Sequence, residues 1–517
     1  MRYPRWTSVL LLLTLGPQSL PGQQPGFQTY LESKAGALRN ATAVLAFYEA
    51  TGYRPAWINP AAVSNRQVMA GLVARAAEEG LDPDAYQLAE GRPVVAEIPA
   101  LPSAQDSFDL ELQYTDAALS YFSHLAYGNT VPSLSYQGLS YKPASIQLPL
   151  LLAEYLAFNK LGRLPDSIQP PMPEVKMIRT ALGQLRWAIA LPGFREDKII
   201  ASGPTASNKP LARKLYYLGI IDSLEKSRTA KEMTVALKQA QRMFGLLDDG
   251  VLRSTLLREL NTPLRTRVNQ LSLSLNYYRW LYGLTRKEPI VVVNIPAAYL
   301  KVYQDGIPII QMRMIVGKAS TPTPTLSSRI HEVILYPYWS VPYSIATKEL
   351  LPSIRRNPGY LAAQNYQVLD SRGKIVDPYA VDWNALGPGN FPYTIRQGTG
   401  CDNALGLLKL NFYNPFSVYL HDTPSKSLFM LQKRFFSHGC MRMEDPAEVG
   451  HFVLKENGIA IDTLTEKGCL RNQAPIVVPV RDPVPVLVWY NPAGLDSTGR
   501  LVIFDDIYRR LGRLGND

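Results

Sequence analysis

The chain has 517 residues, a net charge of +11, 46% hydrophobic and 19% charged residues, an ordinary balance for a globular protein of two to four domains. The positive charge is spread along the sequence, with no Lys/Arg run and no interleaved basic and aromatic residues. Nucleic acid is therefore not the expected partner; a carboxylate-rich peptide or an anionic membrane surface suits the charge better, and a basic surface with no particular partner is the alternative.

At the N-terminus, Arg2 and Arg5 precede an apolar run over 9–15, broken only by Thr14 and followed by Gly, Pro, Ser and Gln. This is the pattern of an export signal, expected over 1–22 and too short to span a bilayer as a mature helix. No cysteine near its end suggests a lipid anchor, and no later stretch reads as transmembrane. Residues 26–208 read as mostly helical. The stretch 71–80 ends at Gly80, and Leu81-Asp82-Pro83-Asp84 opens the next element. Residues 108–127 form an amphipathic helix with Leu112, Leu119, Phe122 and Leu125 on one face, where His124 is structural. A further helix over 177–190 carries Leu182, Leu185 and Trp187. Residues 209–262 read as a three-helix bundle: Leu211, Leu215 and Leu218, then Ala236, Leu237, Ala240 and Phe244, then Thr255, Leu256 and Leu260 after a turn at Gly245 to Val251. Another helix follows over 263–288, with Arg267, Leu271, Leu275 and Asn276.

From residue 289 the pattern becomes β. Ile290 to Ile295, Tyr299 to Tyr303, 309–316 and Ile330 to Leu335 are strand-like, with a hairpin turn at Gln304-Asp305-Gly306. Gly317-Lys318 and Thr321-Pro322-Thr323-Pro324 form an extended loop, and His331 reads as a strand surface residue. Residues 344–400 interrupt the strands with helical and irregular stretches around Asp382-Trp383, either a lid over a site or a structural excursion. The tail 476–517, with Val486 to Tyr490 strand-like, adds to the scaffold or the sheet. The three cysteines, Cys401, Cys440 and Cys469, leave at least one free thiol. If that thiol is Cys440, the other two can pair or both stay reduced. Their spacing matches no metal site, and no metal or other cofactor is expected.

The chemistry concentrates where Tyr419-Leu420-His421-Asp422-Thr423-Pro424 is followed by Ser437-His438-Gly439-Cys440-Met441-Arg442. A thiol becomes a nucleophile when a neighbouring base takes its proton. Nineteen residues separate His421 from Cys440, enough for a strand, a loop and a return. Gly439 allows a tight turn in which consecutive N–H groups can form an oxyanion hole. Asp445-Pro446-Ala447-Glu448 then starts a helix, with Asp445 at the cap and Glu448 closing the box.

His421-Asp422-Thr423-Pro424 with Ser437-His438-Gly439-Cys440-x-Arg442, entered through apolar Val418 and Leu420, resembles the signature of the L,D-transpeptidases, the YkuD family that cross-links peptidoglycan through a cysteine. The strands from 289 resemble the opening of the YkuD domain, a β-rich sandwich. Tyr53-Arg54-Pro55-Ala56-Trp57 and Gly80-Leu81-Asp82-Pro83 resemble the helical scaffold domain of the large Gram-negative members. Gln241, Gly245-Leu246, Asp249-Gly250-Val251 and Thr255 resemble a peptidoglycan-binding type 1 domain, here a wall-binding unit or a spacer.

The resemblance implies an α+β multidomain chain: a scaffold over 26–208, continued by a connecting helix over 263–288, with the peptidoglycan-binding-like unit 209–262 inserted. The catalytic domain would span 289–475, with a capping subdomain at 344–400, before a C-terminal extension over 476–517. It also implies an exported, periplasmic enzyme. Cys440 would attack the carbonyl of the third residue of a tetrapeptide stem and expel D-alanine, and an amine of a second stem would resolve the thioester into a 3→3 cross-link. His421 is the implied base, oriented by the Asp422 carbonyl. His438, Gly439 and Cys440 N–H groups are implied for the oxyanion, with Ser437 in support. Arg442 would be a carboxylate anchor or a loop brace, and Lys409 and Asn411 substrate contacts. The implied partners are donor and acceptor stem peptides and wall-synthesis proteins, and carbapenems would acylate Cys440. Two alternatives remain: a cysteine L,D-carboxypeptidase or hydrolase of wall-linked lipoprotein, and a non-catalytic wall-binding protein.

Overall fold

A computed structural model of the protein describes residues 26–98, 101–140, 146–200, 205–458, 461, 469–471 and 473–513; the expected export signal over 1–22 lies outside them. The chain clusters into two units. The first, built from the residues up to Arg75, Asp82–Ser123 and Ile146–Ser167, is helical and includes Ala41–Ala50, Val63–Ala74, Leu148–Ala157 and most of Ala104–Tyr127. Its interior is organised on Glu111, a fully buried carboxylate. Glu111 accepts the main-chain N–H groups of Ala56 (2.6 Å), Trp57 (2.8 Å) and Ile58 (2.9 Å) and the Tyr48 hydroxyl (2.8 Å). Burial pushes the Glu111 carboxyl up, and these donors offset the cost of its desolvation. The Tyr53 to Trp57 phrase is thus explained by structure: its end and the following Ile58 aim three N–H groups at one acid.

The second unit holds everything else described. Thr229 and Glu232 make a reciprocal capping box at the start of Ala230–Met243, and Asn208 caps Lys209–Tyr217. With Ser254–Asn261 these are the three helices expected over 209–262, but they do not enclose a core of their own. Leu211, Leu215, Met233, Leu237, Phe244, Leu256 and Leu260 share one hydrophobic cluster with Ile178, Leu182, Leu271 and Leu275, because helices this short bury too little surface alone. Gln241 is consumed by the turn that follows it: it accepts the Gly250 N–H (2.7 Å) and donates to Asp249 Oδ1 (2.8 Å) and the Val251 carbonyl (3.1 Å).

Eight strands of a ten-stranded sheet position the site: β1 Ile290–Asn294, β2 Tyr299–Gln304, β3 Ile307–Gly317, β4 Leu326–Leu335, β5 Leu408–Phe412, β6 Leu420–His421, β7 Met441–Met443 and β8 Ile476–Trp489. They pair in the order β4-β5-β6-β7-β3-β2-β1-β8, and β8 returns antiparallel to β4. The sheet therefore closes on itself. Inside lie Val291, Val293, Leu300, Val302, Met314, Leu410, Leu420, Met441 and Val488. The opposite face of β1 and β8 (Ile290, Val292, Leu487, Trp489) packs into the helical cluster, which is why Ile290-Val291-Val292-Val293 is apolar without alternation. The tail strand is thus a member of the closed sheet.

The inserted segment is more regular than the sequence suggested, and it begins earlier. Trp339–Ser340, Thr394–Gln397, Tyr366–Leu369 and Ile375–Val376 form a four-stranded sheet around a core of Ile354, Leu361, Val368, Trp383 and Ile395. Just beyond it, Cys401 is disulfide-bonded to Cys469, leaving Cys440 as the free cysteine. No described helix is long and apolar enough to cross a membrane.

Candidate active site

The turn between β5 and β6 is held by Asn414, which donates to the carbonyls of Phe412 (2.9 Å) and Val418 (2.8 Å) and accepts the N–H groups of Phe416 and Val418 (both 3.1 Å). This sets the register in which Leu420 points into the core while Tyr419 and His421 point to the opposite face. His421 Nδ1 donates to the Asp422 carbonyl at 2.5 Å, so the Nε2 lone pair is the one free to take a proton. The Asp422 side chain faces elsewhere, accepting the Leu407 N–H (2.9 Å) and Lys426 Nζ (2.7 Å). Its place depends on Gly406, whose φ is +60° and where a Cβ would overlap the Asp422 carboxylate. Gly406→Ala should therefore destabilise by about 1–3 kcal/mol and lower the thermal midpoint; because Asp422 also orients His421, labelling of Cys440 should slow too.

The cysteine loop is tied down from below. Ser437 accepts the Gly439 N–H (3.1 Å) and donates to the Cys440 carbonyl (2.5 Å), while Gly439 turns at φ +114°. The Ser437 carbonyl receives the Lys318 N–H (3.0 Å) and the Thr321 hydroxyl (3.1 Å), and the Gly439 carbonyl receives the Thr323 hydroxyl (2.8 Å). Tyr508, from the tail, accepts the Thr323 N–H (3.1 Å) and donates to the Gly317 carbonyl (2.5 Å). The expectation for Gly439 is thereby corrected: its N–H is spent inside the loop and does not face an oxyanion. Asp445 caps Pro446–Val453 as expected, with Glu448 contributing its main-chain N–H (3.2 Å) rather than its carboxylate.

His421, Cys440, Arg442 and Tyr419 line one cleft of about 490 Å³, with Trp339 and Glu349 of the inserted segment on its other side. His438 sits at the rim, its Nε2 2.9 Å from Glu349 Oε1 and 3.4 Å from Lys318 Nζ. Lys409 and Asn411 do not line the cleft. Lys409 Nζ lies 4.0 Å over the Tyr419 ring, and Asn411 donates to Glu332 at 2.6 Å. His331 is a strand residue stacked on Tyr413, ring centroids 3.9 Å apart. Arg442 has no acceptor for its buried Nε, so its guanidinium retains capacity for a carboxylate.

Tyr419 is the residue sequence reasoning passed over. It lines the cleft beside Cys440 and Trp339, and its main chain and hydroxyl pull the Cys440 thiol down. Its position two before His421 on a strand was the available signal, since alternate residues share a face. Burial pushes the Cys440 thiol up, while Tyr419, Lys409 and Arg442 pull the other way. Burial, then the Arg442 and Lys409 cations, hold His421 down to about 3 against the pull of the Asp422 hydrogen bond. At neutral pH the resting pair is a protonated thiol beside a neutral imidazole, suited to proton transfer during attack on a carbonyl.

Two family models match this chain. The family described as the L,D-transpeptidase catalytic domain (YkuD) matches residues 288–486, and a Scaffold domain matches 42–182. A protein of Haemophilus influenzae whose name assigns it provisionally to the L,D-transpeptidases is 37% identical over 219 residues, covering 42% of this chain and 44% of that one. The matched part thus spans less than half of that relative. Among solved structures, an L,D-transpeptidase from Stackebrandtia nassauensis is 13% identical, covering 57% of this chain and 98% of its own, with a TM-score of 0.20. One from Mycobacterium smegmatis is 15% identical, covering 39% and 58%, with a TM-score of 0.18; at these scores neither likeness carries weight. The chain carries a YkuD-type L,D-transpeptidase catalytic domain over 288–486, preceded by a Scaffold domain over 42–182.

Proposed function

We propose that this chain is a peptidoglycan L,D-transpeptidase that forms 3→3 cross-links through a thioester on Cys440. The observation that carries the reading is the free thiol of Cys440 in one cleft with His421, whose Nδ1 is committed to Asp422 and whose Nε2 is therefore the base. In the first step the thiol proton passes to His421 Nε2 and sulfur bonds the carbonyl carbon of the stem's third residue. The N–H groups of His438 and Cys440 receive the oxyanion, and the Tyr419 hydroxyl steadies the sulfur. Collapse breaks the C–N bond, and the His421 proton leaves with D-alanine. In the second step an amine of another stem loses a proton to His421, attacks the thioester and expels the Cys440 thiolate, which is reprotonated. Arg442 anchors a stem carboxylate. The helices over 209–262 hold the wall, and the export pattern over 1–22 puts the reaction in the periplasm.

Incubating the purified protein with disaccharide-tetrapeptides and separating the products by mass should give 3→3 dimers and free D-alanine. Tripeptides with no dimers would make the protein a hydrolase, and no D-alanine at all would overturn the reading. The same thiol should open a carbapenem ring and leave a single adduct on the peptide containing Cys440.

A further inference from the structure

Lys409 lies behind the cleft wall. It pairs across β5 and β6 with His421, and His421 pairs across β6 and β7 with Arg442. One row perpendicular to the strands therefore reads Lys409, His421, Arg442, with the imidazole between two cations. The Lys409 ammonium is 4.0 Å from the centre of the Tyr419 ring, a side chain that lines the cleft with Cys440 and pulls its thiol down. Such a contact strengthens as water is excluded from it.

We propose that Lys409 is a positioning residue for acyl transfer at Cys440: through the Tyr419 ring it holds the hydroxyl on the sulfur, and with Arg442 it keeps His421 in its proton-accepting form. The inference rests on the reading of Cys440 as the nucleophile. The carboxylates around it leave this positive balance standing. Asp422 is turned to Lys426 and Glu349 of the inserted segment meets His438 at the rim, while Glu332 on β4, hydrogen-bonded by Asn411, faces Lys409 and favours its charged form. The groups facing His421 are thus Lys409 from β5, Tyr419 on its own strand, Cys440 and Arg442 at β7, and the Asp422 carbonyl. A positive charge on each side opposes an imidazolium and favours negative charge growing on sulfur. Arg442 and Lys409 pull both groups down, whereas burial lowers His421 and raises Cys440.

The test is the pH dependence of two rates in the full chain carrying Lys409→Met. Alkylation of Cys440 by iodoacetamide, followed by peptide mass, rises through the thiol's titration, and D-alanine release from a tetrapeptide falls at low pH through that of His421. Both limbs should move up by about one unit or more in K409M and stay in place in K409R. Should K409M fail to fold, K409Q is measured instead. Lower rates or a lower melting temperature with both limbs unmoved would overturn the proposal, because a merely structural lysine would do that. Absence of D-alanine release in the wild type would instead count against the transpeptidase reading, while the alkylation limb would still test Lys409.

Discussion

Cys440→Ala should release no D-alanine and form no cross-link, with the fold intact. The loop around the cysteine is held by main-chain carbonyls: Ser437 binds that of Cys440, Thr323 that of Gly439, and Lys318 and Thr321 that of Ser437. None of these needs the sulfur, so the thermal midpoint should change by no more than a few degrees. Cys401→Ala and Cys469→Ala invert the pattern. Each breaks a bond between residues 68 apart in sequence, which should cost about 2–4 kcal/mol, yet the cleft keeps its thiol and most of its activity. Melting curves beside D-alanine release for the three variants check both halves of this expectation.

His421→Ala should slow acylation of Cys440 at neutral pH by about 10²–10⁴-fold, the usual contribution of a placed general base. The size follows from the resting state. Burial keeps the thiol protonated, so the surroundings alone do not supply a thiolate, and an unchanged rate would remove His421 from the base role. The variant should also change acid stability. In the fold His421 titrates at about 3, and in the unfolded chain near 6.5. Between these values the unfolded state binds one more proton, so this group makes stability rise with pH across about 3 to 6.5 and lets it fall as the solution is acidified. His421→Ala should flatten that part of the profile, measurable as a smaller difference in melting temperature between pH 4 and pH 7.

The residues that carry the chemistry are close together in sequence, which is why they could be read. His421 and Asp422 are adjacent, the cysteine loop is one run, and the Asp422 carbonyl as the orienting group follows from its neighbour. Parts that depend on distant pairing could not be read. The apolar run of β8 announces a strand, but nothing in it says that it will return to β4 and close the sheet. Tyr508 reaches Gly317 across 191 residues, and its role is visible only once folded. The strands of the inserted segment are two to four residues long, too short for alternation to emerge above loop composition. Gly439 illustrates a different limit. Its flexibility was legible, but whether its N–H would face a substrate or Ser437 depends on a hydroxyl two residues away choosing between them. Lys409 and Asn411 lie on β5, but the contacts that keep them from lining the cleft, the Tyr419 ring for the lysine and Glu332 for the asparagine, come from other strands and are not written in their own segment.

The most direct test of the account is the intact mass of the protein mixed with a tetrapeptide stem and no amine acceptor, followed by peptide mapping. The account predicts one adduct with the mass of the stem less D-alanine, on the peptide that contains Cys440, absent from Cys440→Ala and cleared into dimers when an acceptor stem is added. An adduct on any other residue, or dimers formed by Cys440→Ala, would contradict it.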